Sequence, residues 1–104
     1  MVEAVIERDE DGRVQTVTLR GEETPEGRVA AALVEAPILG LRHYLHLDPE
    51  VTREGNTVRL VVDRSAFFLD REIDAVMETM VLGLRSLERA GQIVVREVGE
   101  SITV

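Results

Sequence analysis

The chain has no cysteine and no lysine, and its aromatic residues are two Phe and one Tyr among 104 residues. Without cysteine, disulfides, thiolate catalysis and cysteine-ligated zinc are excluded. Without lysine there is neither Schiff-base chemistry nor a lysine base; all 12 basic residues are arginine. No apolar run approaches the ~20 residues that a bilayer-spanning helix needs. The N-terminus enters an alternating strand pattern with no basic region and apolar segment before it, which predicts a cytoplasmic protein with no membrane partner. A net charge of −8 leaves no basic stripe to displace counterions from phosphate, so no nucleic-acid partner is expected. The same charge permits a basic partner, although solubility alone is a sufficient reason for it.

What is present suits a single globular α+β domain over residues 1–104. Hydrophobic residues at 44% and charged residues at 31% argue against disorder. The length suffices for one core between two layers.

Val2, Ala4 and Ile6 alternate with Glu3, Val5 and Glu7, which predicts a strand over Val2–Arg8 with one buried face. Asp9-Glu10-Asp11-Gly12 is a turn, and Arg13–Arg20 returns as a second strand with Val17 and Leu19 on one face and Val14 on the other. Thr24-Pro25-Glu26 is a helix start: Thr caps, Pro has its φ already set, and Glu complements the dipole. Val29, Leu33, Ala36 and Gly40 fall on one stripe, widened by Ala30, Val34 and Leu41, so this helix is expected to be the more buried of two. Pro37 predicts a kink, or a short helix followed by a second through Tyr44. His43 and His46 have metal-compatible spacing if the helix persists, but no third ligand is near; they read as structural or surface residues, and no metal or cofactor is expected.

A second hairpin follows, Val51–Arg53 and Thr57–Val62 around Glu54-Gly55-Asn56, with Val58, Leu60 and Val62 buried. In the loop Asp63–Leu69, either one of Phe67 and Phe68 packs on the core and the other serves a dimer contact, or both tuck under the loop. Asp70 is expected to cap a helix over Arg71–Ala90. Its core stripe is Ile73, Val76, Met77, Met80, Leu84 and Leu87, broadened by Val81 and Leu82, and Gly91 ends it. Gln92–Val98 is a last strand with Ile93, Val95 and even Val94 buried. Ser101–Val104 is a frayed tail or a short edge strand. The order is β-β-α-β-β-α-β, a mixed sheet packed with two helices.

The stretch Gly21–Leu33 is where chemistry would be expected, because a strand-to-helix junction exposes free N–H groups and a positive dipole end. It carries no Cys, His, Ser or Lys. Glu22, Glu23 and Glu26 make its mouth acidic. They read as dipole compensation, as an attraction for a basic peptide, or as a carboxylate-based hydrolase or divalent-cation site.

The order resembles that of the ribosomal-processing cysteine proteases, the Prp (YsxB-like) family. The likeness rests on Val2-Glu3-Ala4-Val5-Ile6, on Asp11-Gly12-Arg13-Val14 with a following strand ending in Gly21, on Glu78–Glu88, and on Ile93-Val94-Val95. It implies a fold shared over nearly the whole chain and a homodimer. Family members remove an N-terminal extension from a protein of the large ribosomal subunit. They use a Gly-His-Ala motif after the second strand and a Cys in an Asp-Ile-Val-Cys-Ala-Ala context. Here Gly21 matches the Gly, Glu22 stands at the His position, and Val29-Ala30-Ala31-Ala32 places Ala30 at the nucleophile. The resemblance therefore implies an inactive homologue, a protein-binding or ribosome-assembly-related factor that still holds a basic ribosomal-protein N-terminal segment. A partner of an active protease, using the apolar surplus at Val81 and Leu82, is a further reading.

Overall fold

The computed structural model describes residues 1–21 and 23–99. In chain order it comprises β1 (Val2–Arg8), β2 (Val14–Arg20), α1 (Pro25–His43), β3 (Glu50–Glu54), β4 (Thr57–Val61), a single 3-10 turn (Phe67–Leu69), α2 (Asp70–Arg89) and β5 (Ile93–Gly99). The five strands form one sheet in the order β3-β4-β2-β1-β5. β1 pairs parallel with β5, and the other neighbours pair antiparallel. The expected order and the mixed sheet are both found. No helix among the described residues is long and apolar enough to cross a membrane.

The strand register decides where the core lies. Ile6 stands opposite Val17, which stands opposite Leu60; Ala4 is flanked by Leu19 and Val95. All are buried, in one cluster with Ala30, Val34, Ile38 and Leu41 of α1 and Ile73, Met77, Met80 and Leu84 of α2. Both helices thus cover the same face of the sheet, and the other face, with Glu3, Val5, Thr18 and Arg20, carries no helix. Val94 lies on that uncovered face, 39% exposed, which corrects its assignment to the core. Val14 is fully buried on the helix-covered face, against the expectation that it faces away from Val17. The cause is a bulge: Glu7 pairs with Thr16 but Arg8 with Val14, so Gln15 is an extra residue and restores Val14 to the core side.

α1 differs from expectation in two ways. It runs unbroken through Pro37, so no second helix starts there. Pro37 lies toward the outer groove between the helices, and the ladder bond it removes is not one buried against the sheet. The residues turned to the sheet are Ala30, Val34, Ile38 and Leu41, whereas Val29 is 49% exposed and Ala36 is exposed. The stripe Val29-Leu33-Ala36-Gly40 is a second one, turned outward beside α2. α1 is therefore not the more buried helix. In α2, Val81 belongs to the core and Leu82 alone of that pair is exposed.

α2 begins at Asp70 itself, with Leu69 at the cap position and no side-chain cap. The Asp70 carboxylate is occupied elsewhere: it accepts from Arg64 at 3.2 Å and pairs with Arg13 at 3.5 Å. The buried Arg64 guanidinium also donates to Asp74 at 2.6 Å and to the Val14 carbonyl at 3.3 Å, pinning the loop to both α2 and β2. Phe67 and Phe68 are exposed and stack edge to face, centroids 6.3 Å apart. Neither is tucked in; Leu69 makes the packing contact instead. The helix ends as expected at Gly91, whose φ is +76°. Its N–H donates to the Glu88 carbonyl and that of Gln92 to Leu87, the paired bonds of a glycine-terminated helix.

A second ion network ties β1, β5 and α2. Arg8 donates to Glu97 at 2.8 Å and to Glu78 at 2.6 Å, and Arg85 donates to Glu97 at 2.5 Å and to Glu88 at 2.8 Å. Hydrogen bonds from Arg8 and then Arg85 hold the Glu97 carboxyl below the usual carboxylate range. A carboxyl that titrates lower in the folded than in the unfolded state contributes stability above about pH 4.3, lost as pH falls through its folded value. Glu97→Gln should therefore lower stability by about 1 kcal/mol at pH 7, a value discounted for partial solvent screening. Urea unfolding from pH 7 down to pH 3 tests this: the gap from the parent narrows as the pH falls, and a gap that stays constant would show that its origin is not ionic.

Candidate functional site

The β2–α1 junction is built on three local devices. Gly21 has φ +89°, and a Cβ there would sit 3.4 Å from the Val2 Cα and 3.5 Å from the Met1 carbonyl oxygen. The positive φ calls for glycine at this corner, while a Cβ would meet β1 only at ordinary van der Waals distance. Its N–H donates to the Asn56 carbonyl at 2.8 Å, which anchors the junction to the β3–β4 turn. Thr24 caps α1 as expected, with Oγ1 accepting from the Gly27 N–H at 2.9 Å and donating to the Gly21 carbonyl at 2.9 Å. Pro25 is the first helical residue and Glu26 lies in the first turn.

Of the expected site residues, the structure brings Gly21, Glu23 and Glu26 to this one turn. Glu23 and Glu26 are exposed. The Asn56 side-chain amide, oriented nitrogen-first, donates to both Glu23 carboxylate oxygens at 2.9 Å. Ala30 lies deeper in the helix, fully buried against the sheet. Glu22 lies outside the described residues, as does the Ser101–Val104 segment. Beside the turn is a hollow of about 330 Å³ lined by Met1, Val2, Thr24, Glu26, Gly91 and Gln92. Its one charged lining side chain is Glu26. The one hydroxyl, on Thr24, is occupied as donor and acceptor.

No group of three or more His, Asp or Glu is arranged to hold a metal among the described residues. α1 ends at His43 and His46 has a left-handed φ of +58°, so the two imidazoles do not share a helical turn; both are exposed.

One feature the sequence reading misplaced is an open groove of about 450 Å³ between α1 and α2. Leu33, Ala36, Pro37 and Gly40 line one wall, and Ala75, Val76, Thr79 and Met80 the other. The lining is uncharged. The helices run antiparallel and approach closely where Gly83 meets Leu33, with only 3.3 Å left for a Cβ. The signal for this groove is the outward stripe of α1, which periodicity alone assigns to the core.

No protein-family model matches the chain, and no curated protein matches it in sequence. Solved structures do match in fold. SMU.848 from Streptococcus mutans superposes with a TM-score of 0.83 at 13% identity, covering 96% of each chain. The essential ribosomal processing protease Prp from S. aureus, in complex with a substrate peptide, gives 0.79 at 16% identity over 96% of this chain and 100% of that one. The same protease with a covalently linked product peptide gives 0.77 at 17% identity over the same shares. The chain has the fold of these proteins, as its resemblance implies.

The junction geometry carries its own test. Thr24→Ala should cost about 1 kcal/mol through the lost cap, and Gly21→Ala about 1 kcal/mol or more through the strain of a positive φ. Urea midpoints, read beside a Gly12→Ala variant of similar φ whose Cβ meets nothing within 4 Å, check this: Gly21→Ala and Gly12→Ala should lose similar amounts, and a much larger loss at Gly21 would show crowding against β1.

Proposed function

We propose that this chain is a catalytically silent homologue of the Prp proteases that retains peptide binding. It acts as a cytoplasmic, homodimeric, ribosome-assembly-related factor. The observation that carries this reading is a superposition along nearly its whole length on a protease solved with substrate and product peptides, in a sequence that contains no cysteine. Cysteine-protease chemistry needs a thiolate and a group to take its proton. By the resemblance, Ala30 and Glu22 occupy those two positions. What remains is a lip of Glu22, Glu23 and Glu26 at the mouth of the junction, suited to a basic segment such as a ribosomal-protein N-terminus. The alternative, a carboxylate-based hydrolase or divalent-cation site on the same three residues, has less support. The Glu23 carboxylate is occupied by Asn56, and exposure denies Glu23 and Glu26 the burial that tunes a catalytic carboxyl.

Titration of a labelled basic ribosomal-protein N-terminal peptide at low salt tests the proposal, with a charge-matched scrambled peptide as control. The native-order peptide should bind at least about tenfold tighter than the scramble, equivalent to 1.4 kcal/mol. The combined Glu22→Ala, Glu23→Ala, Glu26→Ala variant should lose that difference. Absence of binding at low salt, or equal binding of the scramble, removes the peptide-binding reading.

A further inference from the structure

We propose that the end of the molecule where α1 stops and α2 starts is a docking site for an arginine side chain carried on an apolar segment of another protein. The first ground is where the aromatics lie. Aromatic side chains dominate core and interface energetics, and none of the three in this chain belongs to the core. Tyr44, Phe67 and Phe68 are 84%, 76% and 75% exposed. Tyr44 ends α1, and the two Phe belong to the turn just before α2. Because the helices are antiparallel, all three stand at the same end. Large apolar groups gathered in one exposed place mark a contact surface.

The second ground is a pocket of about 250 Å³ between the two loops at this end. Leu41, Leu47 and Val62 are its covered lining, and Asp48, Asp63 and Ser65 its exposed lining. The charges on that lining are both negative. Asp63 makes no ion pair among the described residues; it accepts from the Ser65 N–H at 2.9 Å, which holds its carboxyl below the usual carboxylate range. Asp48 has Arg42 for company, at 3.8 Å. Arg64 is committed elsewhere, to Asp70, Asp74 and the Val14 carbonyl. Both walls are fixed, by the Leu47 N–H on the Leu41 carbonyl at 2.9 Å and the Val62 N–H on that of Gln15 at 2.8 Å. Apolar walls with carboxylates at the mouth take a side chain with a methylene stem and a cationic head. Guanidinium suits them better than ammonium: it is less strongly hydrated, forks onto carboxylates and stacks on aromatic faces. Phe67 is tied to the mouth by its N–H, which donates to the Ser65 carbonyl at 2.9 Å. A free cationic metabolite would leave the aromatics in water, whereas an apolar segment around the arginine covers them. The β2–α1 lip lies at the opposite end of α1, roughly 28 Å away for 19 residues at 1.5 Å each. The two sites share no residue.

The test uses the full chain and two labelled peptides whose central residue stands between leucines, arginine in one and its neutral isostere citrulline in the other. Anisotropy at low salt should show the arginine peptide binding at least about tenfold tighter, a 1.4 kcal/mol preference. Asp48→Asn with Asp63→Asn should remove that preference; asparagine still accepts from the Ser65 N–H, so the loop keeps its turn. Glu10→Gln with Glu54→Gln, at exposed positions outside the pocket, takes away the same charge and should leave the preference intact. That control separates the pocket from the general attraction of an acidic protein. Phe67→Ser with Phe68→Ser should weaken the arginine peptide about fivefold without changing the thermal melt, since both rings are exposed. Amide shifts on binding should map to Leu45–Asp48 and Asp63–Leu69. Absence of binding or equal binding of the citrulline peptide overturns the proposal. So does a preference that survives the two asparagines or is lost equally in the glutamine control, and so do shifts confined to the β2–α1 lip. Arginine amide alone binding as tightly as the peptide also overturns it, since the ligand would then be a small cation. A dimer seen by sedimentation that Phe67→Ser with Phe68→Ser splits does the same, since a second copy would then cover the aromatics. Glu22, Glu23 and Glu26 are intact in every one of these variants, so failure here leaves the titration of the lip standing.

Discussion

One covered sheet face is the constraint on which this molecule depends. Four of the five strands present a continuous apolar surface of Ile6, Val17, Leu19, Leu60 and Val95, and two antiparallel helices close it. Burying each such side chain contributes roughly 1.5–3 kcal/mol, so the helices are held by the sheet far more than by their own propensity. A helix has one stripe to give to a flat partner. Whatever further apolar surface α1 carries has to point outward, and the outer groove follows from that geometry.

The polar chemistry is arranged around this layer. Arg64, nearly buried, holds the loop before α2 by pairing with Asp70 and Asp74. Arg8 and Arg85 converge on Glu97 and tie the last strand to the first strand and to α2. At the other end of the sheet the β2–α1 corner is held by backbone bonds and the Thr24 cap, leaving its carboxylates at the surface.

Features set by neighbours in sequence were legible without coordinates. The alternation of Val2, Ala4 and Ile6, the Thr24-Pro25-Glu26 start and the Gly91 stop each encode their own geometry within a few residues. Features decided by a distant partner were not. Whether Val29 or Ala30 faces the sheet depends on where α2 lies. The return of Val14 to the core needs the bulge at Gln15, which only pairing with β1 creates. Asp70 is not a cap because Arg13 and Arg64 hold its carboxylate. Phe67 and Phe68 look like core residues by type, yet Leu69 makes the contact because the 3-10 turn points it inward. At the candidate site the cap and the Gly21 corner were readable. The Asn56 grip on Glu23 was not, since it joins two turns far apart along the chain.

The parallel pairing of β1 with β5 has a kinetic consequence. Val2–Arg8 is made before Ile93–Gly99, and its outer edge stays unpaired until that strand has left the synthesis machinery. A hairpin with one apolar face and a free edge is thus present for as long as the intervening residues take to be made, when non-local closure is slow and strand edges invite wrong partners. Glu3, Glu7 and Arg8, spaced along that strand, keep the nascent segment charged during the wait.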